Sequence, residues 1–141
     1  MDGPHRLQPV RAHRGGMIIG TGFDLVSTER IRHSLERFGE RFLLKILTDA
    51  EYEAMPAHAG ARVEYAAARF AAKEAAVKAL GTGFSGGTGL HDVEVVRTEG
   101  RPLLRLHGAA ARTAAELGVA SCHLSLSHER GMAGAVVILE K

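Results

Sequence analysis

Apolar residues recur along this chain with two different periods, and the change from one to the other marks out its elements. Met17-Ile18-Ile19-Gly20-Thr21-Gly22-Phe23-Asp24-Leu25-Val26 is a short apolar run broken by glycines and one carboxylate, which predicts a strand followed by Ser27 and Thr28 as helix caps. From Ser27 to Leu47 the spacing turns helical. Ile31, Leu35, Phe38, Phe42 and Ile46 recur at three and four residues and form one apolar stripe that runs on through Gly39. Arg30, Ser34, Arg37 and Arg41 make a second stripe at the same spacing. Thr48-Asp49-Ala50-Glu51 reads as a capping box that opens a short helix, which Pro56 must end. After a connector at His58 to Gly60, Ala61 to Leu80 predicts a long helix rich in alanine, with Gly81 and Gly83 as its stop. So little side-chain bulk implies close packing against strands or another subunit.

Beyond the glycine-rich stretch Gly81 to Gly89 the pattern becomes that of strands. His91 to Thr98 and Leu103 to His107 predict strands joined through Glu99-Gly100-Arg101-Pro102, and Gly108 to Leu117 predicts a helix ended by Gly118. His123 to Ser127 and Met132 to Leu139 pair as a hairpin about Glu129 to Gly131. The expected fold class is α+β: one small domain over residues 17–141, with a mainly antiparallel sheet packed against the long helix. Residues 1–16 are different in kind. They hold three arginines, two histidines, two prolines and three glycines with no periodic apolar pattern, and they lack the apolar core of a signal peptide. They read as a disordered tail or as a start codon assigned too far upstream.

Composition narrows the classes without choosing among them. At 141 residues and 45% hydrophobic the chain has one small core, and domains of this size often gain stability by burying surface against copies of themselves. No apolar run approaches the length of a membrane span, so a soluble protein with no membrane partner is expected. Cys122 is the only cysteine, which excludes an internal disulfide and agrees with a cytoplasmic location. The net charge of +2 is too slight to argue for nucleic acid, and the two tyrosines and five phenylalanines form no RNA-binding motif. Among the eight histidines, His123 and His128 have no cysteine or carboxylate partner at a zinc-ligand spacing.

Charged residues inside the alanine-rich helix are the first candidates for chemistry. Glu74 and Lys78 are four apart and share a face, while Lys73 lies about 100° round the helix. They form either an intrahelical pair on a solvated face or part of a site. Asp24 is unfavourable in an otherwise apolar strand unless something pairs with it. It caps the following helix, or it joins Glu74 as a minimal magnesium site, since that ion takes one or two protein carboxylates and completes its shell with water and phosphate oxygens. The loop from Gly81 to Gly89 is not a Walker A loop, because no Gly-Lys-Ser/Thr follows and the helix precedes it.

Three blocks together resemble the holo-acyl-carrier-protein synthase family, the small 4'-phosphopantetheinyl transferases. They are Gly22-Phe23-Asp24-Leu25-Val26 with Arg30-Ile31, then Arg69-Phe70-Ala71-Ala72-Lys73-Glu74-Ala75 through Lys78-Ala79-Leu80-Gly81-Thr82-Gly83, and Leu124-Ser125-Leu126-Ser127-His128-Glu129. They occur in the family's order and spacing, and the similarity spans residues 17–141. Ser27 departs from the pattern, since many members carry Glu there.

The resemblance implies transfer of the phosphopantetheine arm of coenzyme A to a serine of an apo acyl carrier protein, with 3',5'-ADP released, in support of fatty-acid biosynthesis. It implies magnesium, or manganese in its place, on Asp24 and Glu74, and Lys73 and Lys78 neutralising phosphate oxygens. Gly81, Thr82, Gly83 and His128 would line the coenzyme A pocket, with His128 toward the phosphates. A metal-bound water or a carboxylate would accept the serine proton. Arg30, and by their position on the same face Arg37 and Arg41, would dock the acidic carrier protein, although Glu29, Glu36 and Glu40 are interspersed. A homotrimer with active sites shared between neighbours is the expected assembly. Two other classes compete. A noncatalytic phosphate-binding module accounts for the lysines and glycines but not for Asp24 and Glu74, and an RNA-binding domain accounts for the arginines and the first residues alone.

Overall fold

The computed structural model describes residues 16–84 and 87–141, so most of the predicted tail lies outside the described residues, as do Ser85 and Gly86. Strand β1 (Ile18–Ser27) leads into α1 (Thr28–Phe38), α2 (Glu40–Ile46), α3 (Asp49–Glu53) and the long α4 (Ala59–Leu80). A 3-10 turn at Leu90–Asp92 precedes β2 (Val93–Thr98) and β3 (Arg101–Leu106), and α5 (Gly108–Leu117) connects them to β4 (Ser121–Glu129) and β5 (Met132–Glu140). All strand pairings are antiparallel, and they form two sheets: β1-β5-β4, and the β2-β3 hairpin. The α+β expectation holds.

Packing of α4 on the three-stranded sheet organises the molecule. Ala66, Ala67, Ala71, Ala72, Ala75 and Ala76 are buried, facing Ala133, Ala135, Val137 and Leu139 among others in one core. Gly20 and Gly22 permit the approach. A Cβ on Gly22 would collide with the Ala75 carbonyl oxygen, and one on Gly20 with that of Ala79. Close passage of helix backbone over strand backbone therefore needs glycine at both positions. The other face of the sheet is left open, with Phe23, Leu25, Met132 and Val136 exposed on it.

The predicted single helix from Ser27 to Leu47 is instead two. Gly39 adopts φ 63° and ψ −146°, and its N–H caps α1 on the Leu35 carbonyl while α2 begins at Glu40. A glycine in a helix interior costs about 1 kcal/mol relative to alanine, and here that weakness becomes a corner. Ser27 caps α1 by accepting from the Arg30 N–H at 3.4 Å, so Asp24 is released from the capping role. The Thr48 capping box is present as read. The β2-β3 connection is tighter than expected, because Glu99 and Gly100 turn at φ 50° and 83° and Arg101 already belongs to β3.

Candidate functional site

Alternation along β1 places Asp24 on the same side as Gly20 and Gly22, toward α4. There the Lys78 Nζ donates to Asp24 Oδ1 at 2.7 Å and to the Phe23 carbonyl at 3.2 Å. Glu74, one turn earlier on α4, is half-buried, and no described side chain hydrogen-bonds to it. Its burial, and then the neighbouring charge of Asp24, hold its carboxyl above the ordinary glutamate range, with Lys78 partly offsetting both. Lys78 is solvent-exposed, and its pKa is raised chiefly by the hydrogen bond to Asp24. The strand and the helix thus bring Asp24, Glu74 and Lys78 together. Among the described residues no group of three His, Cys, Asp or Glu converges. Two hard carboxylates that repel one another, with no second cation among the described residues, fit magnesium, which needs few protein ligands.

Lys73 is a correction. It is fully buried, and its ammonium donates to Glu51 Oε1 at 2.8 Å, to the Leu90 carbonyl at 3.0 Å and to the Val93 carbonyl. Those partners use all three of its protons, so it cannot reach a phosphate. Burial lowers its pKa and Glu51 opposes the change. The rotation of about 100° between neighbouring helix residues sends Lys73 into the core while Glu74 faces β1.

A cavity of about 600 Å³ opens beside Leu126 and His128 of β4 and is lined also by Glu51, Tyr65, Arg69 and Arg97. Arg69 is buried, its guanidinium stacks 3.7 Å from the centre of the Tyr65 ring, and its Nε has no hydrogen-bond partner among the described residues. Burial lowers its pKa, and nearby Arg97 adds to the effect. Sequence reasoning assigned no role to Arg69. The available signal was a second cation four residues before Lys73 in the same alanine-rich run.

Gly81, Thr82 and Gly83 do not share this cavity with His128. Gly81 is the left-handed cap of α4, and the twelve residues separating it from Arg69 amount to roughly 18 Å of helix. One chain therefore divides the expected coenzyme A residues between two places. The expected docking residues divide as well. Arg37 and Arg41, with Lys45, rim a groove of about 670 Å³ floored by Phe38, Phe42, Ile46 and Phe70, whereas Arg30 lies in a separate depression with Glu29 and His33. The corner at Gly39 breaks the predicted stripe, yet Arg37 and Arg41 still flank one groove.

Residues 20–136 match the model of the 4'-phosphopantetheinyl transferase superfamily. The holo-acyl-carrier-protein synthase of Desulfovibrio desulfuricans is 58% identical over 125 residues, which cover 88% of this chain and 98% of that protein. Among solved structures, the holo-acyl-carrier-protein synthase of Neisseria meningitidis is 37% identical with a TM-score of 0.80, covering 89% of this chain and 100% of that one. That of Helicobacter pylori, in complex with coenzyme A, is 29% identical with a TM-score of 0.73 over 84% of this chain and 98% of that one. A nearly full-length match in sequence and in fold shows that this chain belongs to the 4'-phosphopantetheinyl transferase superfamily, among its holo-acyl-carrier-protein synthases. It is an enzyme of that class, as the three sequence blocks implied.

Proposed function

We propose that this chain moves the 4'-phosphopantetheine arm of coenzyme A onto a serine of an apo acyl carrier protein, releasing 3',5'-ADP, with magnesium as the metal and fatty-acid biosynthesis in the cytoplasm as the setting. The observation that carries the reading is the meeting of Asp24 and Glu74, fifty residues apart in the chain, beside Lys78 and unmatched by other cations among the described residues. The serine oxygen forms a bond to the pyrophosphate phosphorus nearer the pantetheine, and the bond from that phosphorus to the ADP oxygen breaks. Such a reaction needs placement and charge neutralisation more than covalent help. Asp24 and Glu74 would hold the magnesium, which when bound supplies positive charge at the pyrophosphate oxygens. Manganese suits the same oxygen donors. Lys78, exposed and charged, adds a point charge at the same edge. Arg69 and Arg97 offer the cavity side a second cationic wall for coenzyme phosphates, with the His128 ring beside them.

Separation of Gly81, Thr82 and Gly83 from the cavity of Arg69 and His128, by about half the length of α4, favours a pocket completed by a neighbouring chain, as in the homotrimer that the family resemblance implies. The open face of the three-stranded sheet supports this, since Phe23 and Leu25 are more than half exposed, at 56% and 54%. Apolar surface of that kind marks contact between proteins. For the carrier protein, the groove at Arg37, Arg41 and Lys45 combines cations with an apolar floor, suited to an acidic helical partner, and Arg30 extends the positive surface. The decisive experiment is incubation with coenzyme A, magnesium and an apo acyl carrier protein, read by intact mass. Transfer adds about 340 Da, the arm carried by the phosphoryl group that moves. An unchanged carrier mass with folded enzyme would overturn the assignment.

A further inference from the structure

The buried pair Glu51–Lys73 lies outside the Asp24–Glu74–Lys78 cluster, yet its hydrogen bonds converge on the walls of the cavity beside His128. Glu51 Oε1 accepts from Lys73 Nζ at 2.8 Å and from the Thr48 N–H at 2.9 Å, while Oε2 accepts from the Val95 N–H at 2.9 Å. The Glu51 backbone carbonyl accepts from the Tyr65 hydroxyl at 2.6 Å, and the Tyr65 ring carries the Arg69 guanidinium. One residue thus ties α3, α4 and β2 together and also orients the aromatic face under Arg69. Lys73 completes the tie from α4, where it shares a face with Arg69 one turn earlier. Both side chains of the pair are fully shielded from solvent.

A second anchor holds the other side of α4. Gly20 and Gly22 seat the helix on β1 at Ala79 and Ala75, next to Glu74 and Lys78. The cluster and the cavity therefore have separate supports. We infer that Glu51 and Lys73 are positioning residues for coenzyme A: they fix the cavity walls bearing Tyr65, Arg69, Val95 and Arg97, and through these the affinity for the coenzyme, without touching the reacting phosphorus. This inference rests on the assignment of that cavity to coenzyme A under the proposed function.

The test compares the wild-type protein with Glu51→Gln and with the double variant Glu51→Gln/Lys73→Met, the latter leaving no lone buried charge. Coenzyme A affinity is measured by calorimetry, and the Michaelis constant for coenzyme A, kcat and the magnesium half-saturation are measured in the transfer assay. Displaced walls should weaken coenzyme A binding and raise its Michaelis constant by roughly 10-fold or more, with kcat and magnesium half-saturation within about 2-fold of wild type. Unchanged coenzyme A affinity in the folded variants would overturn the inference, as would loss of kcat and magnesium response in parallel with affinity. Should both variants fail to fold, hydrogen exchange on the wild type decides: coenzyme A should slow exchange of the Val95 N–H, and an unchanged rate there overturns the inference. A wild type that binds no coenzyme A refutes the cavity assignment itself and the inference with it.

Discussion

Asp24 is useful because its neighbours leave it one cation and one like charge. Lys78 binds one of its oxygens, while Glu74 stands near without a bond of its own, so an added divalent ion would relieve a repulsion already present in the fold. Asp24→Asn and Glu74→Gln should each lower kcat by roughly 100-fold or more in folded protein, because the missing charge acts in the transition state. Steady-state assays at ordinary magnesium check this, and near-normal turnover removes the residue from the site. Without metal, Glu74 also sets a pH dependence. Its folded pKa is raised, so the stability linked to its proton is full below the ordinary glutamate value of 4.5 and declines as pH rises through the folded value. Urea unfolding of metal-free protein from about pH 4 to about pH 7 should show a shallower decline for Glu74→Gln than for wild type. The carboxylate pair was legible in the sequence since an Asp in an apolar strand and a Glu in an alanine helix both ask for partners. Lys73 was misread because helix periodicity separates faces without saying what covers each one, and its partner Glu51 lies 22 residues earlier, on another element.

Elements were legible where one period persists, as in α4 and in the β4-β5 hairpin, and less so where a glycine chooses between continuing and turning. Gly39 turns the chain, and the groove between α1 and α2 depends on that corner. Tyr52 and Arg62 both donate to Glu40, the first residue of α2, and tie that helix to α3 and α4. No local pattern announces these bonds. Charge reversal at Arg37, on the rim of the groove, should raise the Michaelis constant for carrier protein and flatten its salt dependence, with coenzyme A affinity unchanged. An unaltered carrier constant in the transfer assay would make this an ordinary solvated face. The contact of β1 with α4 makes a second demand at this scale. Gly22→Ala places a methyl against the Ala75 carbonyl and should destabilise the fold by about 1–3 kcal/mol or more, seen as a lowered midpoint in chemical denaturation.

At the scale of the whole molecule, one chain holds the carboxylates Asp24 and Glu74 where β1 meets α4 and a cavity lined by Arg69 and Arg97 nearer the start of α4, with an open apolar face on the β1-β5-β4 sheet. Phe23, Leu25, Met132 and Val136 belong to that face, and pairing puts Phe23 opposite Val136 and Ser27 opposite Met132. The sequence predicts the strand but not its two faces, because the glycines that claim the inner face for α4, and so leave the bulky residues outward, read there only as breaks in an apolar run. Closed rings of identical subunits bury such a face most simply, and the proposed shared pocket requires a ring in which the Gly81 end of α4 on one chain meets the His128 cavity of the next. Sedimentation of the full chain and of a form starting at Met17 should each give about three times the 15.0 kDa chain mass. Phe23→Glu, which puts a charge on the open face without entering the core, should shift the mass to that of one chain and abolish transfer while circular dichroism stays native. A fully active monomer at micromolar concentration would sink the shared pocket and leave the roles of Asp24 and Glu74 intact, because those two residues meet within a single chain.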